Sequence, residues 1–493
     1  MDIMNKIARK YNYILPILLI LVLSSALMFY KLNYESFFTD EILYTDAGQE
    51  YYRGDYTMNL QHPLISKYIA GIVMQFTQTD VFLLRLPFAI LGVLSALIVY
   101  LIIKEYYEKE YAFLGAMIFS VMPFIYSSTR MVMMEAPMHF FWLLFNLFFI
   151  KYLNTSKFKF VVLAGIVIGL GMATKFPTII LYPFSITAFA VFKKISKKAL
   201  TKNEFIHFVS MFGISLGTYG LTYIDLFIKS GIDGLIRVVR VTKDVFISRN
   251  EEGKAQVVGD AVYNKSPWWY YGYFMVNKYP VLQLVITPIS LLAAMFEKSF
   301  YSLYWLVFGI YTFVFFQLIP LKNDRYISTI EIALVFLSVS GLRYIVRKFT
   351  NVKVKQLLIL ALITLVFIFL PRLQNITQQT PTKYYALYNY LVEKTNNFTN
   401  GDRTYIMGSI RSSRWQFDHV APDLVVSRKD FDIMFPEFPN FKYIVFDDNE
   451  LLKNQNNELY RYIKYNKDQY TVEQVPGLTI YILKVGATPL LLK

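Results

Sequence analysis

The sequence contains no cysteine among its 493 residues, and only 17% of the residues are charged. Without cysteine there are no disulfide bonds, no thiolate metal sites and no cysteine nucleophile. Only four histidines occur, and no two of them stand at the spacing of metal ligands. We therefore expect neither a bound metal nor another cofactor, although a metal held jointly by several carboxylates and one histidine stays open as an alternative.

Apolar side chains dominate instead. Hydrophobic residues make up 55% of the chain and aromatic residues 18%, and the mean hydropathy is +0.38. This composition is typical of proteins built from membrane-spanning helices. The formal net charge of +15 then fits basic loops beside hydrophobic runs and attraction to anionic lipid, so the predicted partners include membrane lipids. No basic-aromatic module indicates a nucleic-acid partner.

Membrane-spanning helices need roughly 20 mostly apolar residues, and the chain offers about eleven such runs. The first run follows Lys6, Arg9 and Lys10 and lacks a small-residue cleavage site, so it is predicted to be a retained signal anchor with the amino terminus inside. The predicted runs are 12–30, 82–103, 111–127, 136–153, 160–174, 177–192, 205–224, 280–296, 299–319, 326–342 and 356–371.

Alternation across the bilayer divides the chain into two predicted regions. Residues 1–371 form a transmembrane core with outer loops at 31–81 and 225–279, and residues 372–493 form a soluble domain outside. Lysine-rich and arginine-rich loops near residues 193–202 and 343–355 fall inside, as the positive-inside rule requires. The basic segment 225–279 falls outside, but long loops cross largely regardless of charge.

The same alternation places a set of ionisable residues in outer loops or at the outer ends of the predicted helices. They are Asp40, Glu41, His62, Lys67, Arg130, Glu135, Lys175, Lys322 and Arg325. Ionisable groups at membrane depth are costly and usually functional, so this clustering predicts a cavity that holds a charged headgroup at the outer leaflet. Ordinary solvated loop charges and structural ion pairs are the alternative interpretation.

Several of these residues stand in an order that resembles a known family. Asp40-Glu41, followed by His62-Pro63-Leu64-Ile65-Ser66-Lys67, is similar to the first outer loop of the protein O-mannosyltransferases, where Asp-Glu precedes His-Pro-Pro-Leu-Gly-Lys. The chain departs from that pattern at Leu64 and Ser66.

Three later motifs extend the resemblance over about the first 345 residues. Arg130 followed by Glu135 resembles the family's arginine and acidic residue, and Gly165, Gly169 and Lys175 resemble its Gly-x3-Gly-x5-Lys helix. The run Lys322-Asn323-Asp324-Arg325-Tyr326 is similar to the Arg-Tyr start of a late helix in the wider superfamily, which includes the aminoarabinose transferases of lipid A.

The resemblance implies a polytopic α-helical membrane glycosyltransferase of the GT-C class. Such enzymes take a sugar from dolichyl or undecaprenyl phosphate and transfer it to a hydroxyl of a protein or glycolipid. The eukaryotic mannosyltransferases insert a β-trefoil domain in a central loop, whereas this chain has only the shorter segment Asp225 to Tyr279. We therefore expect a prokaryotic member in the plasma membrane, with its active site and carboxyl-terminal domain on the extracytoplasmic side.

Each role in that chemistry has candidate residues. A base near the acceptor is needed, and we assign Asp40, with Glu41 orienting it or binding the acceptor. Cations must stabilise the departing phosphate; the candidates are Arg130, Lys175, Arg325 and Lys322. The candidates for other substrate contacts are His62, Lys67, Glu135, Asp55, Trp268 and Tyr270. Snorkelling of the cations and interfacial anchoring by the aromatic residues are the structural alternatives.

The last hundred or so residues differ from the rest. Tyr443 to Phe446 and Leu478 to Leu483 alternate or run apolar as strands do, and Glu450 to Tyr465 has helical spacing, which together predict a small α/β domain. A transporter or lipid flippase remains the runner-up function for the whole chain, although no clear internal repeat is visible. A sensor or assembly subunit, which needs no catalytic carboxylate, is a third class.

Overall fold

The structure is a computed structural model. It describes residues 2–33, 37, 39–77, 80–251, 256–258, 261–263, 265–278, 288, 290, 296, 299–319, 322–348, 356, 383–407, 424–428, 441–447, 458–475 and 477–487. The chain divides into two compact units. Unit 1 comprises Met1–Leu32 and Tyr44–Leu373, and unit 2 comprises Asn33–Leu43 and Gln374–Lys493.

The described residues of unit 1 are mostly helical. Its described helices are α1 (Asp2–Phe29), α2 (Thr39–Arg53, whose first turn belongs to unit 2), α3 (Ile65–Thr77), α4 (Val81–Lys104), α5 (Lys109–Val121), α6 (Pro123–Thr129), α7 (Glu135–Thr155), α8 (Phe158–Met172), α9 (Leu181–Ser196), α10 (Lys202–Leu221), α11 (Ile224–Glu251), α12 (Tyr270–Lys278), α13 (Phe300–Leu318) and α14 (Ile327–Lys348). Short 3₁₀ turns at Phe176–Ile180 and Asp324–Tyr326 lead into α9 and α14.

Among the described residues, five continuous helical segments are long and apolar enough to cross a membrane, and the number rises to seven if two bent pairs each count as one span. The five are Val81–Lys104, Glu135–Thr155, Phe176–Ser196, Phe300–Leu318 and Asp324–Arg347. The runs predicted at 12–30 and 160–174 correspond to the shorter apolar helices Ile14–Phe29 and Phe158–Met172. Most of the runs predicted at 280–296 and 356–371 lie outside the described residues, so the count of eleven stays a prediction.

The run predicted at 111–127 is broken. Helices α5 and α6 meet at an angle of 66°, because Pro123 begins a new helix and has no amide hydrogen to continue the first. Starting a helix inside apolar surroundings leaves backbone amides without partners. Glu331 of α14 supplies one: its Oε2 accepts the amides of Phe124 at 3.0 Å and Ile125 at 2.9 Å. A buried carboxylate thus stabilises the break.

Glycines allow close packing between two helices of unit 1, α8 and α10. Helix α10 begins with a capping box formed by Thr201 and Glu204 and then packs along α8. A Cβ on Gly165 would lie 2.8 Å from the carbonyl oxygen of Met211, and one on Gly169 would lie 2.5 Å from that of Ser215. The Gly-x3-Gly motif therefore acts here as a helix-packing motif of the kind seen between membrane helices.

The segment predicted as an outer loop, 225–279, contains regular structure. Helix α11 occupies its first half and is interrupted at Gly231, whose φ of 60° is left-handed. A hairpin follows, in which β1 (Gln256–Val258) pairs antiparallel with β2 (Ala261–Tyr263), and then α12. The long polar stretch is thus folded rather than extended.

Unit 2 contains a five-stranded mixed sheet. Its strands are β3 (Thr404–Met407), β4 (Val425–Arg428), β5 (Tyr443–Asp447), β6 (Tyr470–Val475) and β7 (Leu478–Leu483), in the order β4-β3-β5-β7-β6. β3 pairs parallel with β4 and with β5. β7 pairs antiparallel with β5 and with β6. The stretches predicted from alternation at Tyr443 and Leu478 are both strands.

Helices cover both faces of that sheet. On one face, Leu387 and Leu391 of α15 (Lys383–Lys394) pack against Ile406, Val445 and Ile480. On the other face, Tyr462 and Ile463 of α16 (Glu458–Tyr465) pack against Tyr405, Ile444 and Phe446. Within the described residues unit 2 is therefore a three-layer α/β/α arrangement with its own core, and the predicted helix appears in its carboxyl-terminal half.

Candidate active site

A buried carboxylate and two cations lie together in unit 1. Glu135 begins α7 and is fully buried. Its Oε1 lies 2.5 Å from Nζ of Lys175, which follows α8, and 3.7 Å from Nε of Arg325, which precedes α14. We call these three residues the Glu135 cluster. Three of the predicted site residues, far apart in sequence, are thus brought together by the packing of α7, α8 and α14.

The cluster carries one net positive charge, because two cations share one carboxylate. The side chain of Arg325 is 22% exposed, and its orientation is fixed by Asn323, whose Oδ1 accepts from the Arg325 amide at 3.1 Å and from Nε at 3.3 Å. Lys175 also lies over the ring of Tyr326 at 4.7 Å. Arg325 is a partly exposed cation held beside a buried carboxylate, and such a cation is suited to binding an anion.

Motif reading did not single out His139, yet it stands four residues after Glu135 on the same face of α7. It is fully buried, and its Nε2 lies 3.0 Å from the hydroxyl of Ser328. Within the described part of the chain, Nδ1 of His139 and Oε2 of Glu135 are buried without a hydrogen-bond partner. The i, i+4 spacing from Glu135 was the available sequence signal.

The aromatic segment before α12 packs next to the Arg325 turn. The hydroxyl of Ser266 accepts from the Lys322 amide at 2.9 Å. Tyr270 is buried against Phe274, whereas Trp268 is 79% exposed. Burial lowers the pKa of the Lys322 ammonium. Trp268 is therefore exposed enough for the substrate contact or interfacial anchoring that is predicted for it, whereas Tyr270 is buried.

Arg130 contacts backbone rather than the Glu135 cluster. Its Nη2 donates to the carbonyl oxygens of Tyr30 at 2.5 Å and Lys31 at 3.1 Å, and its Nη1 donates to the hydroxyl of Tyr126. Arg85, which motif reading missed, donates to the carbonyl of Leu32 at 2.9 Å. Carbonyls just past a helix end lack partners in the helix and carry partial negative charge. These arginines stabilise the end of α1, so the geometry gives Arg130 a structural role.

Lys67 likewise contacts backbone carbonyls, in the loop between α2 and α3. Its Nζ contacts the carbonyls of Asn59 at 2.5 Å and His62 at 2.6 Å, and the hydroxyl of Tyr51 at 3.1 Å. The side chain is fully buried, which lowers the pKa of its ammonium well below the ordinary value, while the oxygen ligands oppose that shift. Lys67 therefore holds the loop on α3, and the structure shows no described contact that would make it a substrate ligand.

The other predicted loop residues have mixed surroundings. Asp55 is exposed and accepts the amide of Thr57 at 2.9 Å, as turn-forming aspartates do. His62 is half-buried, with its ring 6.1 Å from that of Tyr44. Tyr56 donates to Asp225 of α11, which ties the loop to that helix.

Asp40 and Glu41 occupy the first turn of α2. Glu41 is fully buried and Asp40 is half-buried. Acidic residues are favoured in the first turn of a helix, so both residue types suit their positions. Both residues belong to unit 2, while the Glu135 cluster belongs to unit 1. Their convergence on one site stays a prediction.

Within the described residues, no group of three or more histidine, aspartate or glutamate side chains could hold a metal ion. The alternative of a metal held jointly by Asp40, Glu41, Glu135 and His62 combines residues of both units and stays a prediction. The principal polar group is instead the Glu135 cluster, which can offer an anion positive charge and hydrogen-bond donors.

Comparison with known proteins gives one family match and several structural ones. Residues 61–218 match the family model described as dolichyl-phosphate-mannose-protein mannosyltransferase. No curated protein matches the chain in sequence. The matched region includes His62, Lys67, Arg130, Glu135 and Lys175, so it covers much of the predicted motif set but under half of the chain.

The fold is shared with solved structures at low sequence identity. ArnT from Cupriavidus metallidurans bound to undecaprenyl phosphate is 12% identical to this chain. The match covers 96% of this chain and 98% of the ArnT chain, with a TM-score of 0.56. The oligosaccharyltransferase of Archaeoglobus fulgidus is 14% identical over 98% of this chain and 75% of its own, also with a TM-score of 0.56. The same archaeal enzyme in complex with an inhibitory peptide and a dolichol-phosphate has a TM-score of 0.54.

These findings confirm the resemblance that the motifs indicated. The helical core, the membrane-capable helices and the structural neighbours agree on one architecture. This chain has the fold of the GT-C membrane glycosyltransferases and, over residues 61–218, resembles the protein O-mannosyltransferases.

Proposed function

We propose that this protein is a membrane glycosyltransferase that transfers a sugar from a polyprenyl phosphate carrier to a hydroxyl of a protein or glycolipid. The observation that carries the proposal is the Glu135 cluster, in which a buried carboxylate holds Lys175 and Arg325 with one net positive charge. Such a group suits a lipid phosphate, because guanidinium binds phosphate oxygens through paired hydrogen bonds and ammonium adds charge.

The bond changes define what the residues must do. The acceptor oxygen attacks the anomeric carbon of the sugar, and the bond from that carbon to the phosphate oxygen breaks. The phosphate leaves with the bonding electrons, and its charge is stabilised by Arg325 and Lys175. The acceptor proton passes to a base, the role that we assign to Asp40. Glu135 does not react; it positions the two cations.

A lipid-linked donor is supported by what two structural neighbours bind. One is described with undecaprenyl phosphate and the other with a dolichol-phosphate. Apolar helices surround the Glu135 cluster in this chain, so a carrier whose tail stays in the bilayer reaches it more readily than a soluble nucleotide sugar does. We place the reaction at the extracytoplasmic face of a prokaryotic plasma membrane, following the charge distribution of the loops.

The test compares two arginines. Arg325→Ala removes a cluster cation, whereas Arg343→Ala removes an arginine that pairs with the exposed Glu108 at 3.0 Å near the other end of α14. We expect Arg325→Ala to weaken binding of undecaprenyl phosphate by about 10- to 100-fold, as expected for loss of a charged hydrogen bond. Arg343→Ala should bind like the unmodified protein. Equal affinity of both variants would remove Arg325 from the site.

Activity is tested with the full chain in lipid nanodiscs, a panel of undecaprenyl and dolichyl phosphate sugars, and membrane extracts as the acceptor source. We expect release of the free carrier phosphate together with a glycosylated acceptor, and no product with nucleotide sugars. Product from nucleotide sugars alone would overturn the donor assignment. Movement of intact polyprenyl phosphate sugar between leaflets, without bond cleavage, would favour the flippase alternative.

A further inference from the structure

Helix α11 exposes apolar side chains that its neighbours do not cover. Ile232 is 66% exposed and Val239 is 68% exposed, and Ile236 between them is also exposed. These residues lie four and three positions apart, so they form one face of the part of α11 that follows the break at Gly231. Several exposed β-branched residues along one helix face are unusual on a surface that faces water.

The basic residues of the same helix border that face. Lys243 lies four residues after Val239, and Arg240 lies four residues after Ile236, so both stand on or beside the apolar face. Arg237 and Asp233 lie further round the helix, and all four charged side chains are exposed. Helix α11 therefore has an exposed apolar face, a basic edge and a polar face.

A fourth side of α11 packs against the rest of unit 1. Leu226 and Val238 belong to a buried cluster with Tyr51, Tyr56 and Tyr223, and Gly234 is buried as well. The exposed apolar face is thus not the face that packs in unit 1.

The direction of α11 supports a position along the membrane surface. It leaves α10 at an angle of 83°, and α10 is an apolar helix whose outer side exposes Phe205, Val209, Phe212 and Leu216. If α10 crosses the bilayer, a right-angle bend places α11 in the plane of the interface. A helix with an apolar face and a basic edge binds there through burial of its apolar side and attraction to anionic lipid.

We propose that α11 is an interfacial helix that inserts Ile232, Ile236 and Val239 below the lipid headgroups and binds anionic headgroups through Arg240 and Lys243. The occupant of this surface is the bilayer itself. The charge of the helix edge complements anionic lipid, and lysine and arginine stems extend along apolar surface while their charges reach the headgroups.

The cysteine-free chain permits a direct test by single-site spin labelling. The full-length protein is labelled at Val239→Cys on the apolar face or, as the matched control, at Asp233→Cys on the polar face of the same helix. Both variants are reconstituted in vesicles of phosphatidylcholine, with or without phosphatidylglycerol. Accessibility to oxygen, which concentrates in the bilayer, and to a water-soluble nickel chelate is then measured by electron paramagnetic resonance.

We expect the label at position 239 to show a several-fold higher ratio of oxygen to nickel accessibility than the label at position 233. Similar ratios at the two positions, with nickel reaching both, would overturn the proposal. Shielding of position 239 from both reagents would also overturn it, because a protein partner or a second copy of the chain would then cover the face.

The anionic part of the proposal has its own comparison. Phosphatidylglycerol should move the label at position 239 deeper, and the double variant Arg240→Glu with Lys243→Glu should abolish that response. Arg237→Glu on the polar face should keep it. A depth that is the same in both lipid mixtures, or a response that survives the double charge reversal, would contradict binding of anionic headgroups by Arg240 and Lys243.

Discussion

Two buried lysines show how differently one residue type is used in this chain. Lys67 is surrounded by backbone and hydroxyl oxygens and stabilises a loop, whereas Lys175 pairs with a carboxylate beside a second cation. Both stand in motifs shared with one family, and both were predicted to contact substrate. Linear spacing identified the residues but could not separate their surroundings, because the two nearest oxygens around Lys67 are backbone carbonyls, which every sequence has.

The structural role of Lys67 predicts a loss of stability. Lys67→Met leaves the carbonyl oxygens of Asn59 and His62 buried without this donor, and we expect a cost of about 1–3 kcal/mol. Thermal unfolding and limited proteolysis of the loop measure it. Lys229→Met, which breaks an exposed pair with Asp225, should cost far less. If Lys67→Met unfolds like this control but no longer binds donor, the substrate role is restored.

Asp40 carries the sharpest catalytic prediction. Asp40→Asn keeps the shape of the side chain but removes its basicity, so we expect turnover to fall by about 10² to 10⁴. Affinity for undecaprenyl phosphate should change little, because the cluster that we assign to the phosphate is intact. Asp46→Asn, one and a half turns further along α2, is the control. Turnover by Asp40→Asn within a few-fold of the unmodified enzyme would remove Asp40 from the role of base.

At the scale of elements, apolar runs predicted the positions of most helices but not their breaks. The residues on both sides of Pro123 are similarly apolar, so hydropathy does not mark the break there. The break is stabilised by Glu331, over 200 residues away, which accepts the amides of Phe124 and Ile125. After the 83° turn, α11 likewise packs against the segment between α2 and α3, which is distant in sequence. Contacts between distant residues decide such features, so hydropathy alone does not reveal them.

The close contact between α8 and α10 predicts that one added methyl group at this contact lowers the stability of the protein. Gly169→Ala places a Cβ 2.5 Å from the Ser215 carbonyl oxygen, and we expect overpacking to cost about 1–3 kcal/mol. Gly217→Ala on α10 meets nothing within 4 Å and should be neutral or slightly stabilising, since alanine favours helix. Thermal unfolding in detergent compares them. Equal stability of the two variants would contradict the close packing of these helices.

For the whole molecule, the ordered motifs predicted the fold better than any count of helices. Asp-Glu, the His62 to Lys67 run and the glycine helix together indicated one architecture, which the family and structural matches confirm. Of the predicted site residues, Glu135, Lys175 and Arg325 converge, whereas Arg130 contacts carbonyls at the end of α1. The roles of these residues in a reaction stay predictions. Sidedness and the relation of Asp40 to the Glu135 cluster depend on topology and remain predictions.

The odd number of predicted spans places the carboxyl-terminal domain on the same side of the membrane as Asp40. The division of the chain supports this, because Asn33–Leu43, which contains Asp40, forms one compact unit with Gln374–Lys493. That domain also has its own apolar core on both faces of its sheet, so we expect protease to release it as a folded fragment.

Sealed vesicles of known orientation test this sidedness. Protease added at the extracytoplasmic face should release the domain, and a cysteine introduced by Asn59→Cys should react with an impermeant thiol reagent from that same face. Asn59 is buried beside Lys67, so Asp55→Cys at the exposed turn serves as the more accessible reporter. Release of the domain from the cytoplasmic face, while the reporter at position 55 reacts from the opposite face, would mean that the number of spans between them is odd and would separate the domain from Asp40.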